Sequence, residues 1–238
     1  MIPDIEINNL SLRFDGRELF APLSFTLTAG RFVSLLGPSG VGKSSLLKVI
    51  AGLLPPASGT VTASDSLPLA DRITWMGQTD LLYPWLNIID NIALGSRLRG
   101  EQKDRLWAEQ LLERVGLQGY AKALPATLSG GMRQRAALAR TLYERRPVVL
   151  MDEPFSALDA ITRAQIQELA AELLADRTVL LVTHDPAEAC RLSHNLLILS
   201  ATGLSDLPMP CGPLPRPSDD PELLLTQAKL MQRLQVTV

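Results

Sequence analysis

One stretch constrains this chain more than any other: residues 31–54, RFVSLLGPSGVGKSSLLKVIAGLL. A short apolar run ends in glycine. A helical pattern from Lys43 to Ala51 follows, stopped by Gly52 and the Pro55–Pro56 pair. Between them, Gly37 to Ser44 fits G-x-x-x-x-G-K-[ST] at every position, with a strand before it and a helix after it. Glycines let successive backbone N–H groups turn inward around phosphate oxygens, and the helix dipole adds positive potential. Gly37, Pro38, Ser39, Gly40, Val41, Gly42, Lys43, Ser44 and Ser45 are therefore expected to hold the phosphates of a nucleotide. In such a loop the lysine, here Lys43, reaches the β- and γ-phosphates, and the hydroxyl of Ser44 ligates Mg²⁺.

The rest of the chain supplies the partners that such a unit needs. Residues 5–7 and roughly 19–36 alternate or run apolar like strands, and GTVTA (59–63) and RITWMG (72–77) read as further strands. From Asn87 to Glu144 the apolar spacing turns to three and four residues, the period of amphipathic helices. PVVLMDEP (147–154) and RTVLLVTHD (177–185) return to continuous apolar runs, with the helical RAQIQELAAELLAD between them. Strands alternating with helices predict an α/β core around a mostly parallel sheet, with a helical insert in the middle. The tail from Leu207 to Pro221 is proline-rich, and a last helix is expected with Asp220 as N-cap and Pro221 at its first position.

Two further segments carry chemistry. VVLMDE (148–153) is an apolar strand that delivers two carboxylates at its carboxyl end, where nucleotides sit in open parallel sheets. Asp152 suits the Mg²⁺ shell and Glu153, across the pleat, suits a general base for water. LSGGMRQR (128–135) opens a second helix with a serine and two glycines. Small residues at a helix N-terminus make an anion seat, so one chain carries two such seats.

GPSGVGKS, LSGGMRQR, VVLMDEP, SALD and VTHD, in this order, resemble the ATP-binding subunit of ABC transporters over about residues 5 to 200. The resemblance implies a P-loop NTPase core with a mostly parallel sheet, a small antiparallel β subdomain and an inserted α-helical subdomain. The implied boundaries are about 1–86 and 146–205 for the catalytic core with its β subdomain, about 87–145 for the helical subdomain, and about 206–238 for the C-terminal tail and helix. It also implies that two copies close head to tail on ATP and Mg²⁺. Ser129, Gly130 and Gly131 of one copy then face the nucleotide held by the other, which accounts for the second seat. Gln78 matches the glutamine that contacts Mg²⁺ and the attacking water, His184 the histidine that bonds the γ-phosphate, and Asp159 the loop that crosses the dimer. Phe14 matches an aromatic that stacks on adenine, against the alternative of a core phenylalanine. Lys43, Gln78, Glu153 and His184 form the implied catalytic set.

TDLLYPWLNIIDNI (79–92) and LSGGMRQRAALARTL resemble the importers of nitrate, sulfonates, taurine and thiamine-precursor pyrimidines. That implies transmembrane permease subunits as partners, an external solute-binding protein, and a place at the cytoplasmic face of the inner membrane. Leu81, Leu82, Tyr83 and Trp85 either receive a short helix from a membrane protein or pack the helical insert onto the core. The segment ASDSLPLADR (63–72) is shorter than usual, so a trimmed antiparallel sheet is expected. An exporter's ATPase, or an ABC ATPase outside transport, are the alternative readings. Net charge −2 among 238 residues argues against a nucleic-acid partner, and Arg133, Arg135 and Arg140 are expected to form a solvated or interface face. Two cysteines do not make a disulfide framework. No window approaches the roughly 20 apolar residues of a membrane helix, so the chain is expected to be soluble, with membrane function supplied by a partner.

Overall fold

Three runs, FVSLL, VVLMD and TVLLV, are buried at every position, which is the pattern of strands covered on both faces. The computed structural model describes residues 2–14 and 17–236, the side chains of Phe14, Arg17 and Val236 excepted. The runs form β3 (Phe32–Leu36), β6 (Val148–Asp152) and β7 (Thr178–Val182). With β5 (Ile73–Met76), β8 (Asn195–Ser200) and β9 (Gly203–Leu207) they make a six-stranded sheet in the order β5-β6-β7-β3-β8-β9. Every pairing is parallel except the β8–β9 hairpin at one edge.

Alternation along these strands divides the core between the two faces. Val33, Leu35, Val148, Leu150, Leu180 and Val182 pack with α1 (Lys43–Ile50) through Leu46, Leu47, Val49 and Ile50. Val149, Met151, Val179 and Leu181 face the helical side instead. There they meet α5 (Gly130–Tyr143) and α6 (Ala160–Leu173), and through α5 the helices α2 (Ile88–Ile92), α3 (Leu94–Leu98) and α4 (Arg105–Arg114). The start of the helical pattern expected from Asn87 to Glu144 forms two short helices, α2 and α3. Asn87 accepts from the N–H of Asp90 at the start of α2, and Asp104 caps α4 by accepting from Trp107.

A second sheet is antiparallel, ordered β2-β1-β4, from β1 (Ile5–Phe14), β2 (Arg17–Leu27) and β4 (Ser58–Ala63). The apolar stretch at 19–36 is two strands in two sheets, β2 and β3, turned at Ala29–Gly30, and the second is the short run before the glycine-rich loop. The segment after β4 is closed by Arg72, whose guanidinium meets both carboxylate oxygens of Asp65 at 2.9 and 2.7 Å.

The tail packs rather than hangs. α8 (Pro221–Val236) starts as expected, with Asp220 accepting from Glu222 and Leu223 at 2.8 and 3.0 Å. Its Leu223 and Leu230 are buried against Ala189 and Cys190 of α7 (Pro186–Leu192) and against Leu196 and Ile198. Arg216, 4% exposed, donates to the carbonyls of Cys190, Ser193 and Pro210 and so ties the proline-rich segment to the end of α7. Among the described residues no helix is long and apolar enough to cross a membrane.

Candidate nucleotide site

β3 ends where the glycine-rich loop begins, and the loop feeds α1. Gly42, with φ 103°, precedes the helix in a left-handed conformation that an L side chain rarely adopts. No side chain caps α1, so its first N–H groups are left for a ligand. The ammonium of Lys43 donates to the carbonyls of Gly37 and Pro38 at 2.7 and 2.8 Å, folding the lysine back over the loop. Burial pulls its pKa down, while Glu153 and Asp152 work in the other direction.

A cavity of about 440 Å³ opens on this loop, lined by Ser39, Gly40, Gly42, Lys43, Ser44 and Ser45, with Gln78, Glu153 and Leu19 opposite. The carboxyl end of β6 supplies two acids, Asp152 and, in the cavity wall, Glu153. Asp152 closes β6, 3% exposed, and its Oδ1 is buried with no hydrogen-bond partner. Burial raises the Asp152 pKa, and a hydrogen bond from Ser44 opposes that rise. An orphaned carboxylate oxygen beside a hydroxyl is a donor set that suits a hard divalent cation such as Mg²⁺. Glu153 comes next, with φ 49°. A non-glycine residue held there costs of order 1–3 kcal/mol. Its backbone N–H donates to Val182 O at 2.8 Å. Its Oε2 accepts from Gln78 Nε2 at 3.2 Å, and its Oε1 lies 3.2 Å from His184 Nδ1.

Ser129, Gly130, Gly131 and Asp159 do not line this cavity. Ser129 caps α5, its Oγ accepting from Met132 N at 3.3 Å, and Asp159 caps α6, accepting from Thr162 N at 3.0 Å. The two glycines differ. A Cβ on Gly131 would sit 3.1 Å from Ala157 O, so this glycine packs against the SALD loop. A Cβ on Gly130 would meet only the end of Arg133, 4.0 Å away. Among the described residues nothing else crowds Gly130. Phe14 ends β1, but its side chain lies outside the described residues.

Three residues near the site had no signal in the sequence. Leu19, an ordinary strand residue by pattern, reaches the cavity rim. Gln134, 4% exposed on α5, points its amide at Glu153 O at 3.4 Å. Asp80 accepts from Arg133 at 3.0 Å. The arginines expected on a solvated or interface face are half-buried and also brace the fold from within. Arg133 also donates to Leu128 O, Arg135 donates to Val115 O and Gly116 O, and Arg140 to Leu81 O and Asp80 O. A planar guanidinium presents several donors in one fork, which suits clusters of loop carbonyls. Arg133 and Arg140 together bind the loop after Gln78 to α5.

Leu82 is buried, whereas Leu81, Tyr83 and Trp85 are exposed, Trp85 at 70%. Tyr83 and Trp85 meet edge-on at 5.2 Å. Packing thus accounts for one of the four side chains in this segment and leaves three at the surface. The position of the loop itself is set by Asn91, which accepts from Tyr83 N and donates to Tyr83 O and Leu86 O.

Comparison with known proteins agrees with this geometry. The family model described as ABC transporter matches residues 20–156. An uncharacterized ABC transporter ATP-binding protein of Haemophilus influenzae is 46% identical over 97% of this chain and 98% of its own length. An aliphatic sulfonates import ATP-binding protein of Rhodococcus jostii is 43% identical over 97% of this chain and 93% of its own length. A solved dimeric ATP-binding cassette, in a post-hydrolysis state with ADP and Pi bound, superposes with a TM-score of 0.78 at 28% identity, covering 87% of this chain and all of that one. The chain belongs to the ABC transporter family, as an ATP-binding cassette of its ATP-hydrolysing type.

Proposed function

We propose that this chain is the ATPase subunit of an importer of aliphatic sulfonates, working as a head-to-tail homodimer on a permease at the cytoplasmic face of the inner membrane. An external solute-binding protein delivers the cargo. The sulfonate import relatives support the direction and the cargo class. The observation that carries the dimer is the separation of the two anion seats. The Ser129–Gly130 turn lies outside the phosphate cavity of its own chain, and among the described residues only the end of Arg133, 4.0 Å away, would meet a Gly130 side chain. We assign that turn to a second copy's ATP.

In this reading the loop from Gly37 to Ser45 binds the ATP phosphates through backbone N–H groups, and Lys43 turns from its two carbonyls to the β- and γ-phosphates. Ser44, Gln78 and Asp152 hold Mg²⁺, which neutralises charge on the phosphate oxygens. Glu153 orients the attacking water and takes its proton. His184 steadies the Glu153 carboxylate through Nδ1 and leaves Nε2 for the γ-phosphate. Asp159 and the Ser129–Gly131 turn act across the dimer, and Phe14 stacks on adenine. The catalytic core spans about 1–86 and 146–205, the helical subdomain about 87–145, and the tail about 206–238. Leu81, Tyr83 and Trp85 are the permease contact.

Reconstitution tests this. The chain, co-purified with its permease and placed in liposomes with the cognate binding protein, should import a labelled alkanesulfonate only with ATP and Mg²⁺. ATP-driven uptake of a different solute class would overturn the cargo. Efflux, or the absence of any co-purifying permease, would overturn import.

A further inference from the structure

The backbone of Glu153 is held in a conformation that its residue type disfavours, and the groups holding it come from three parts of the molecule. Its N–H is fixed by Val182 O of β7. Its carbonyl accepts from the Ser156 hydroxyl at 3.0 Å, from Ser156 N at 3.3 Å, and from the Gln134 amide at 3.4 Å. The first two are local to the loop after β6. Gln134 is not: it lies 19 residues earlier, on the helix that opens with Ser129. It is 4% exposed, one turn beyond the glycines, and faces the sheet while Arg133 beside it faces Asp80. A buried amide that ends on a carbonyl of a strained residue is a specific contact, since an apolar side chain would fill the same volume without a polar group to satisfy.

We propose that Gln134 is a positioning residue for ATP hydrolysis: it sets the backbone of Glu153, and through it the carboxylate, from the helix that carries the second anion seat. The inference rests on the reading of Glu153 as the base. The consequence is mechanical. A contact made at Ser129–Gly130 by a second copy's nucleotide bears on α5, and α5 ends one of its side chains on the base's own peptide. The same helix holds, through Arg133 and Arg140, the loop of Gln78, whose amide donates to the Glu153 carboxylate. Occupancy of the trans seat and alignment of the base are thereby joined by one rigid element.

The test uses the full chain with ATP and Mg²⁺, in the parental and Glu153→Gln backgrounds. Gln134→Met keeps the volume and removes the donor. It should lower kcat between about tenfold and a hundredfold, the scale of a misplaced catalytic group, with ATP KM and monomer ATP binding unchanged. In the Glu153→Gln background it should leave the residual single-turnover rate unchanged, because there is no base left to misplace. A parental kcat in Gln134→Met, or the same fold-loss in both backgrounds, would overturn the proposal. If Gln134→Met does not fold, Ser156→Ala removes the other side-chain donor to the same carbonyl from an exposed position. The same pattern of lowered kcat, masked by Glu153→Gln, is expected, and a parental kcat overturns the proposal. The two readings separate cleanly. If Glu153→Gln hydrolyses ATP at the parental rate, the base assignment itself fails. If Glu153→Gln is slow and Gln134→Met is not, only the role of Gln134 fails.

Discussion

Glu153 and His184 meet side by side, with Oε1 and Nδ1 3.2 Å apart, although 31 residues separate them along the chain. Parallel pairing of β6 with β7 brings this about. Asp152 stands opposite Val182, so the residues that follow each strand emerge at the same edge. The carboxylate is mostly shielded and the imidazole is 65% exposed, so the pair has one face inside and one toward solvent.

Replacing Glu153 by Gln keeps the side chain's shape, leaves one acceptor oxygen for Gln78 and His184 to share, and removes the proton acceptor. Hydrolysis should fall by about 10²–10⁴, the usual worth of a positioned base, with ATP binding retained. Size-exclusion chromatography with ATP and Mg²⁺ should show a stable dimer. A monomer under those conditions would count against ATP as the adhesive between copies.

The two glycines of the LSGG turn should respond differently to alanine. Gly131→Ala places a methyl 3.1 Å from Ala157 O and should lower the melting temperature relative to Gly130→Ala. Among the described residues Gly130→Ala meets only the end of Arg133, at ordinary contact distance, so its melting temperature and monomer ATP binding should match or exceed the parent's. It should nevertheless lose ATP-driven dimerisation in the Glu153→Gln background. Normal dimerisation there would remove the trans role of the turn.

Glu188 sets a pH dependence of stability. It is 6% exposed, and burial raises its carboxyl to about 7. Asp185 adds to the rise, whereas hydrogen bonds from Thr183 and Gln167 and the charge of Arg163 oppose it. A carboxyl with a raised folded pKa binds its proton more tightly when folded. This contribution is therefore absent as a penalty below the unfolded pKa and grows as pH rises through about 7. Urea unfolding from pH 5 to pH 8 should show the parent losing up to about 3 kcal/mol relative to Glu188→Gln. Parallel pH profiles for the two proteins would refute it.

Arg216 holds the tail. Removing a buried guanidinium that serves three carbonyls leaves those acceptors unpaired. Arg216→Met should cost about 2–4 kcal/mol in urea unfolding. Arg216→Lys should recover less than half of that, because one ammonium cannot span the fork. Full recovery by lysine would mean that charge alone, and not geometry, secures the segment.

Much of this molecule was legible in the order of its residues because the chemistry is carried by contiguous backbone. A loop of glycines between an apolar strand and a helix must present its N–H groups to an anion, and an apolar run ending in Asp152–Glu153 must deliver both at a strand end. The same holds for the start of α8, where Asp220 and Pro221 act within one turn. The β8–β9 hairpin gave no comparable signal, since its second strand is short and mixed in character. The tertiary structure alone decided which distant groups converge. It put Leu19 at the cavity, Gln134 on the peptide of Glu153, and Arg133 and Arg140 on the loop of Gln78. It also separated Gly131, which its own chain needs to be small, from Gly130, which its own chain does not. Local pattern specifies what a segment can do with its own backbone. Side chains that reach across helices and strands depend on packing, and packing is a property of the folded whole.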